Sequence, residues 1–211
     1  GVSAWDLNRA GAYEVVVEIS EGGGRGLAID VDVTDDDRVA AAFVETREML
    51  GIPRYLVNNA GPPSAADLEF REALQMAAGS VQMVTEKWMA LGLPELAAVV
   101  NVASIAGNFV GAKPDWYSSS KAAIAGYTRF LAVTHGKRLR ANAVAPGPVD
   151  TPRMTAYLAT EIGQAWRDSN PMGRIAKPEE VASVICFLLS PAASHVNGVL
   201  LPIDGGATLS L

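Results

Sequence analysis

Tyr117 and Lys121 stand four residues apart at the start of a stretch with helical periodicity, Trp116 to Thr134. Their side chains therefore share one helix face, a single turn apart. A phenol with a pKa of about 10 is a poor acid or base at neutral pH, and a neighbouring ammonium favours its ionised form. The pair suits proton transfer at a carbonyl or alcohol oxygen. This spacing alone is common, so its context must supply the specificity. Ser104 lies thirteen residues before Tyr117, just past an apolar run, Ala97 to Val102, that reads as a strand. Strand carboxyl ends carry the ligand-binding groups of open α/β sheets, and a serine hydroxyl there can hydrogen-bond the reacting oxygen.

Positioning these groups requires alternating strands and helices. Val2 to Trp5 reads as a strand and Ala10 to Ile19 as a helix. Leu27 to Val33 reads as a second strand, followed by a helix from Val39 to Leu50 that opens on Thr34 and Asp37 as a capping box. Tyr55 to Val57 reads as a strand, Phe70 to Leu91 as a long helix, Arg140 to Val144 as a strand, Pro178 to Leu189 as a helix and Val199 to Ile203 as a last strand. Doubly apolar strands separated by such helices imply a parallel sheet covered on both faces, a doubly wound α/β fold. With 211 residues and no repeat or linker, one domain over 1–211 is expected.

Composition narrows the function. Apolar residues make up 49% and charged residues 19%, with 20 Gly and 12 Pro dispersed, which excludes disorder and fibrous architectures. The net charge of -6 offers no field for nucleic acid or anionic lipid. No run approaches the roughly 18 apolar residues of a membrane span, and the N-terminus lacks a basic-then-apolar signal. The lone Cys186, in an apolar run, reads as a buried small hydrophobe, and the chain as cytoplasmic. Gly22 to Gly26 follows a helix and opens a strand, the reverse of a phosphate loop. Asp30 to Asp35 lacks the glycine and the final glutamate of a calcium loop, and His135 and His195 have no metal-ligand spacing; no metal is expected.

Four segments together resemble the short-chain dehydrogenase/reductase family, from Val2 to the C-terminus. They are Asn58-Asn59-Ala60-Gly61; Asn101 to Ser104 with Tyr117-Ser118-Ser119-Ser120-Lys121; Pro146 to Thr151; and Gly198 to Gly206 with its Asp-Gly-Gly turn. The resemblance implies a Rossmann-like, three-layer fold and reversible hydride transfer between a nicotinamide and an alcohol/carbonyl pair. It makes Tyr117 the general acid/base, Lys121 the group that lowers its pKa and holds the nicotinamide ribose, and Ser104 the group that orients the substrate oxygen. Asp6 would read the adenosine ribose, and its carboxylate, repelling a 2′-phosphate, favours NAD. Asp32 and Val33 would contact adenine, Asn59 and Gly61 the cofactor bed, and Val149 and Thr151 the carboxamide. Each has a plainer role open to it: Asp6 or Thr151 as a cap, Asn59 as a turn residue. Asp150 to Ala176 would form the substrate lid, with Met154, Tyr157, Leu158 and Trp166 as pocket walls or core. A homotetramer and a small-molecule substrate are also implied.

Two departures matter. The family carries an Asn in its long helix that helps hold a proton-relaying water; here Ala77 occupies that place, with Gln75, Ser80 and Gln82 as possible substitutes. The family's first strand and Gly-rich turn have no counterpart in the sequence. That strand is central, between those near Val2 and Leu56, and its absence would leave two strands with unpaired backbone. Either the sheet closes without it or the working protein carries residues before Gly1; the hydrogen-bond cost favours the latter. A scaffold without turnover, lacking the phosphate turn, is the rival expectation.

Overall fold

The computed structural model describes residues 1–210. The chain runs β1 (Val2–Asp6), α1 (Arg9–Glu21), β2 (Gly26–Asp30), α2 (Asp36–Leu50), β3 (Tyr55–Asn58), α3 (Phe70–Leu74), α4 (Ser80–Met89), β4 (Ala97–Val102), α5 (Asp115–His135), β5 (Leu139–Pro146), α6 (Thr155–Leu158), α7 (Glu161–Ser169), α8 (Pro178–Leu189) and β6 (Leu200–Ile203). Every strand pairing is parallel, as helical crossovers require. The helices cover both faces in the expected three-layer, Rossmann-like architecture.

Successive strand residues point to opposite layers. Val99 of β4 packs with Val39 and Phe43 of α2, Val84 and Trp88 of α4, and Leu131 of α5. Its neighbour Val100 faces the other way, with Val144 of β5 and Leu188 of α8. Arg140 fixes the end of α8 by donating to the carbonyls of Leu188 at 2.6 Å and Leu189 at 3.1 Å, a cation on the unpaired acceptors of a helix C-terminus.

The sheet does not close. Among the described residues β1 pairs only with β2, while β3, β4, β5 and β6 form a separate four-stranded sheet in that order. Between the free edges of β1 and β3 lies a cavity of about 650 Å³. The expected gap is present, and the strands flanking it stay apart.

Local corrections have clear causes. Thr34 does not cap the helix after it: its amide and hydroxyl are taken by the Asp32 carboxylate, and Asp35 is the cap, accepting from Arg38 N at 2.9 Å. The helix therefore begins at Asp36. The second strand stops at Asp30, short of Val33. Cys186 is exposed rather than buried, because α8 packs Leu188 inward and turns Cys186 and Phe187 outward. The single long helix expected from Phe70 is interrupted by a π-turn at Gln75–Gly79.

Candidate active site

β4 delivers its chain end to the site. Beyond Val102 the chain passes through Ser104, which is nearly buried and whose hydroxyl oxygen accepts from Ala106 N at 3.1 Å. Asn108 then ties this loop to α5: its amide donates to the carbonyl of Ser104 at 2.9 Å and to that of Lys121 at 3.1 Å. Gly107 sits at φ +76° against α5, where any Cβ would collide with the Ser118 carbonyl. Glycine is required there for close approach of loop and helix.

Tyr117 and Lys121 lie one turn apart on α5 as expected, with the Lys121 Nζ 5.6 Å from the Tyr117 ring centroid. The ammonium donates to the carbonyl of Val102, the last residue of β4, at 2.8 Å. Strand and helix thus aim it together. Burial pushes the Lys121 pKa down to about 8, so the amine remains mostly charged at neutral pH but yields its proton readily. Trp116, fully inside, packs edge-on to the Tyr117 ring at 5.8 Å.

Beneath this pair is a cavity of about 10 Å³, room for about one water. Ala77, Asn58, Gly61, Tyr117 and Lys121 are among its walls. Ala77 sits at the centre of the π-turn, and such turns often accompany functional sites. The candidate substitutes for the usual Asn are otherwise engaged. Ser80 donates to the Met76 carbonyl at 2.6 Å, Gln75 lies over Gly79, and Gln82 faces solvent.

Sequence reasoning gave Asn58 and Asn101 no individual role. Both are buried and joined: Asn58 Nδ2 donates to Thr85 Oγ1 at 2.9 Å and to Asn101 Oδ1 at 2.8 Å. Asn101 Nδ2 then donates to Thr128 Oγ1 at 2.9 Å. This satisfied amide–hydroxyl chain locks β3 and β4 to α4 and α5. The signal was present in each motif, an amide at or next to the end of an apolar strand.

The remaining candidates fall into three places. Asp6, Val33 and Asn59 line the large cavity between β1 and β3. Asp6 is exposed and holds Asn8 N at 2.8 Å, while Asn8, not Asp6, caps α1. Gly61 joins Tyr117 and Lys121 at the small cavity. Asp32 is not brought to either cavity's wall; its carboxylate is committed to Thr34. Val149 and Thr151 stand at the base of the 150–176 segment, where Val149 bridges to Ala176. The Thr151 side chain caps nothing. In that segment Leu158 is buried as core, Met154 and Trp166 are half-buried and Tyr157 is exposed. Asn170 pins its far end by donating to the Asp204 carbonyl at 2.8 Å.

Among the described residues no cluster of His, Cys, Asp or Glu is arranged to hold a metal, and no helix is long and apolar enough to cross a membrane. The family described as enoyl-(acyl carrier protein) reductase matches residues 1–208. Cis-4-hydroxycyclohexanecarboxylate dehydrogenase of Sinomonas cyclohexanicum is 37% identical over 207 residues, covering 94% of this chain and 83% of that protein. Meso-2,3-butanediol dehydrogenase of Serratia marcescens is 34% identical over 194 residues, 89% of this chain and 77% of that one. The solved structure of a 7α-hydroxysteroid dehydrogenase complexed with NADH and 7-oxo glycochenodeoxycholic acid superposes with a TM-score of 0.89 at 30% identity, covering 98% of this chain and 84% of that one.

Proposed function

The chain belongs to the short-chain dehydrogenase/reductase family and is an oxidoreductase of alcohol and carbonyl groups that uses a nicotinamide dinucleotide, and from this premise we propose that it is NAD(H)-dependent with Tyr117 as its acid/base. The observation carrying this reading is the buried Lys121 ammonium, held by the Val102 carbonyl beside the Tyr117 ring. A positive charge in that place favours the phenolate and makes proton transfer at a carbonyl oxygen accessible near neutral pH. The bound nicotinamide supplies or takes the hydride. Ser104 accepts from Ala106 N, which leaves its O–H to donate to the substrate oxygen. The placement of candidate residues supports this reading: Asp6 and Asn59 line the large cavity, Gly61 and Lys121 the small one, and Val149, bridged to Ala176, and Thr151 stand at the base of the 150–176 segment. The exposed Asp6 carboxylate supports NAD, since it accepts from ribose hydroxyls and repels a 2′-phosphate.

The substrate is a small or medium alcohol or ketone enclosed by the 150–176 segment. We read the whole of 1–211 as one domain. Phe130 and Val133 are exposed on α5, which supports a homo-oligomer with this helix at an interface, a tetramer in our reading. A cytoplasmic location fits this chemistry. The open edges of β1 and β3 favour one rival, a scaffold that binds no dinucleotide. Titrating NADH and NADPH into the full gene product separates the two. Saturable binding with NADH preferred supports the enzyme; no saturable NADH binding sinks it.

A further inference from the structure

Ser104 lies where the chain has a strand neighbour on one edge alone. Past the end of β4 it still runs along β5: Ala103 N donates to the Val144 carbonyl at 2.9 Å and Ile105 N to the Pro146 carbonyl at 3.1 Å. An extended chain alternates, so the backbone groups of the residue between them point to the opposite edge. On that edge β3 has already ended, its last pairing being Asn58 with Asn101. The Asn108 side chain takes the place of a strand partner: its Nδ2 lies 2.9 Å from the Ser104 carbonyl oxygen, 3.1 Å from that of Lys121 and 3.5 Å from that of Ala106. Three carbonyl oxygens around one terminal atom require that atom to be the donor nitrogen. A closed loop returns Asn108 to this point. The amides of Asn108, Phe109 and Val110 donate to the Ile105 carbonyl at 3.2, 2.9 and 3.1 Å, and Gly107 N donates to the Val110 carbonyl at 2.7 Å.

We propose that Asn108 is a positioning residue that sets the spacing between Ser104 and the Tyr117–Lys121 pair. The inference rests on the reading of Ser104 and Tyr117 as the groups that meet the substrate oxygen. The Lys121 ammonium is already held to the Val102 carbonyl, so one tie joins α5 to the end of β4. Asn108 supplies a second tie two residues further on, from the Ser104 backbone to the turn of α5 that carries Lys121. A carbonyl has two lone pairs, so the Lys121 carbonyl can accept from Asn108 without giving up its bond within the helix. With both ties in place, the Ser104 and Tyr117 hydroxyls can address one oxygen together. Such groups must be placed closely, and a displacement of about 1 Å can cost about 10²-fold in rate. Removing the Asn108 amide frees the Ser104 carbonyl and the side chain that moves with it. The Lys121–Val102 contact and the cofactor-side residues keep their own supports.

The test measures kcat, KM and NADH affinity of the full gene product on a panel of small and medium ketones. The variants are Asn108→Ala, Asn108→Asp, Ser104→Ala, and Asn108→Ala combined with Ser104→Ala. The proposal expects kcat to fall about tenfold in Asn108→Ala at unchanged NADH affinity. Asn108→Asp, of equal size, turns a carboxylate oxygen towards three carbonyls and is expected to fall further. A side chain that merely filled space would give the opposite order, with Asn108→Asp near the wild-type rate. The combined variant is expected within about twofold of Ser104→Ala alone, because a tie that acts through Ser104 then has nothing left to position. Losses that multiply, or wild-type kcat in either Asn108 variant, overturn the proposal and leave the acid/base reading standing. Full turnover by Ser104→Ala overturns the role of Ser104 and the proposal with it. If one Asn108 variant does not fold, the other decides by the same criteria, alone and combined with Ser104→Ala.

Discussion

The two sheets, β1–β2 and β3–β4–β5–β6, are built to different standards. β4 is buried from Ala97 to Asn101, and its one polar side chain, Asn101, is partnered by Asn58 and Thr128. β1 has no fully buried residue and is held to α2 chiefly by Trp5 against Phe43 at 4.7 Å and by the Ser3–Thr46 hydroxyl pair at 2.9 Å. The side that carries Ser104, Tyr117 and Lys121 is thus preorganised by its own sequence. The side that carries Asp6 and Asp32 has no such buried polar chain, and both carboxylates are exposed. Proton-transfer chemistry demands ångström-level placement, whereas ribose recognition by an exposed carboxylate tolerates more freedom.

The sharpest way to break this comparison is at Lys121. Lys121→Met is expected to lower turnover of the full gene product about 10³-fold, within the span of acid–base contributions, and to raise stability at neutral pH. The sign follows from its lowered pKa of about 8 against the ordinary 10.5. Between these values the unfolded chain binds more protons than the native one, so wild-type stability rises with pH across that window. Below about pH 8 the native state bears the full cost of the buried ammonium, on the order of 3 kcal/mol, which Met removes. Urea denaturation across pH checks both: the wild-type curve climbs from about pH 8 and the variant's stays level.

Asn101→Ala comes next. It leaves the Asn58 amide and Thr128 hydroxyl short of partners in a buried site, at about 2 kcal/mol. That corresponds to a Tm lower by roughly 4–8 °C for a chain of this size. Adding Asn58→Ala should cost less than the sum of the two single changes, because both sit in one chain of hydrogen bonds. Additive losses would mean that the amides act separately. In the β1–β2 sheet, Asp6→Ser should shift the NADH/NADPH affinity ratio about tenfold towards NADPH while Tm stays constant. A fall in Tm with no change in ratio would assign Asp6 to its loop alone. The smallest effect belongs to Cys186→Ser, within about 0.5 kcal/mol by thermal melting, because the thiol is exposed on α8.

The same division marks what the sequence disclosed. Strand and helix order was legible because apolar periodicity carried it, and Tyr117 with Lys121 share a helix face because helical geometry leaves no alternative. Cap choice was not: Asp32, Thr34 and Asp35 compete for the same few amides, and only the turn taken by the backbone decides among them. The fate of Cys186 depended on which stripe of an almost wholly apolar helix met the sheet, information that a uniform run does not hold. The π-turn at Gln75–Gly79 leaves no local signature, since all of its residues are ordinary helix formers or a glycine in helical conformation. Asn58 and Asn101 were visible as motif residues, but their mutual hydrogen bond joins positions 43 residues apart and needed the sheet register to appear.

The most direct test of the account follows a label. The full gene product, or its Tyr117→Phe variant, is given NADH deuterated at the transferable position together with each member of a panel of small and medium ketones. The account predicts deuterium on the carbinol carbon of the product with Tyr117 in place. It also predicts at least about 10²-fold slower transfer in the variant at unchanged NADH affinity. Transfer by Tyr117→Phe at the full rate would contradict it.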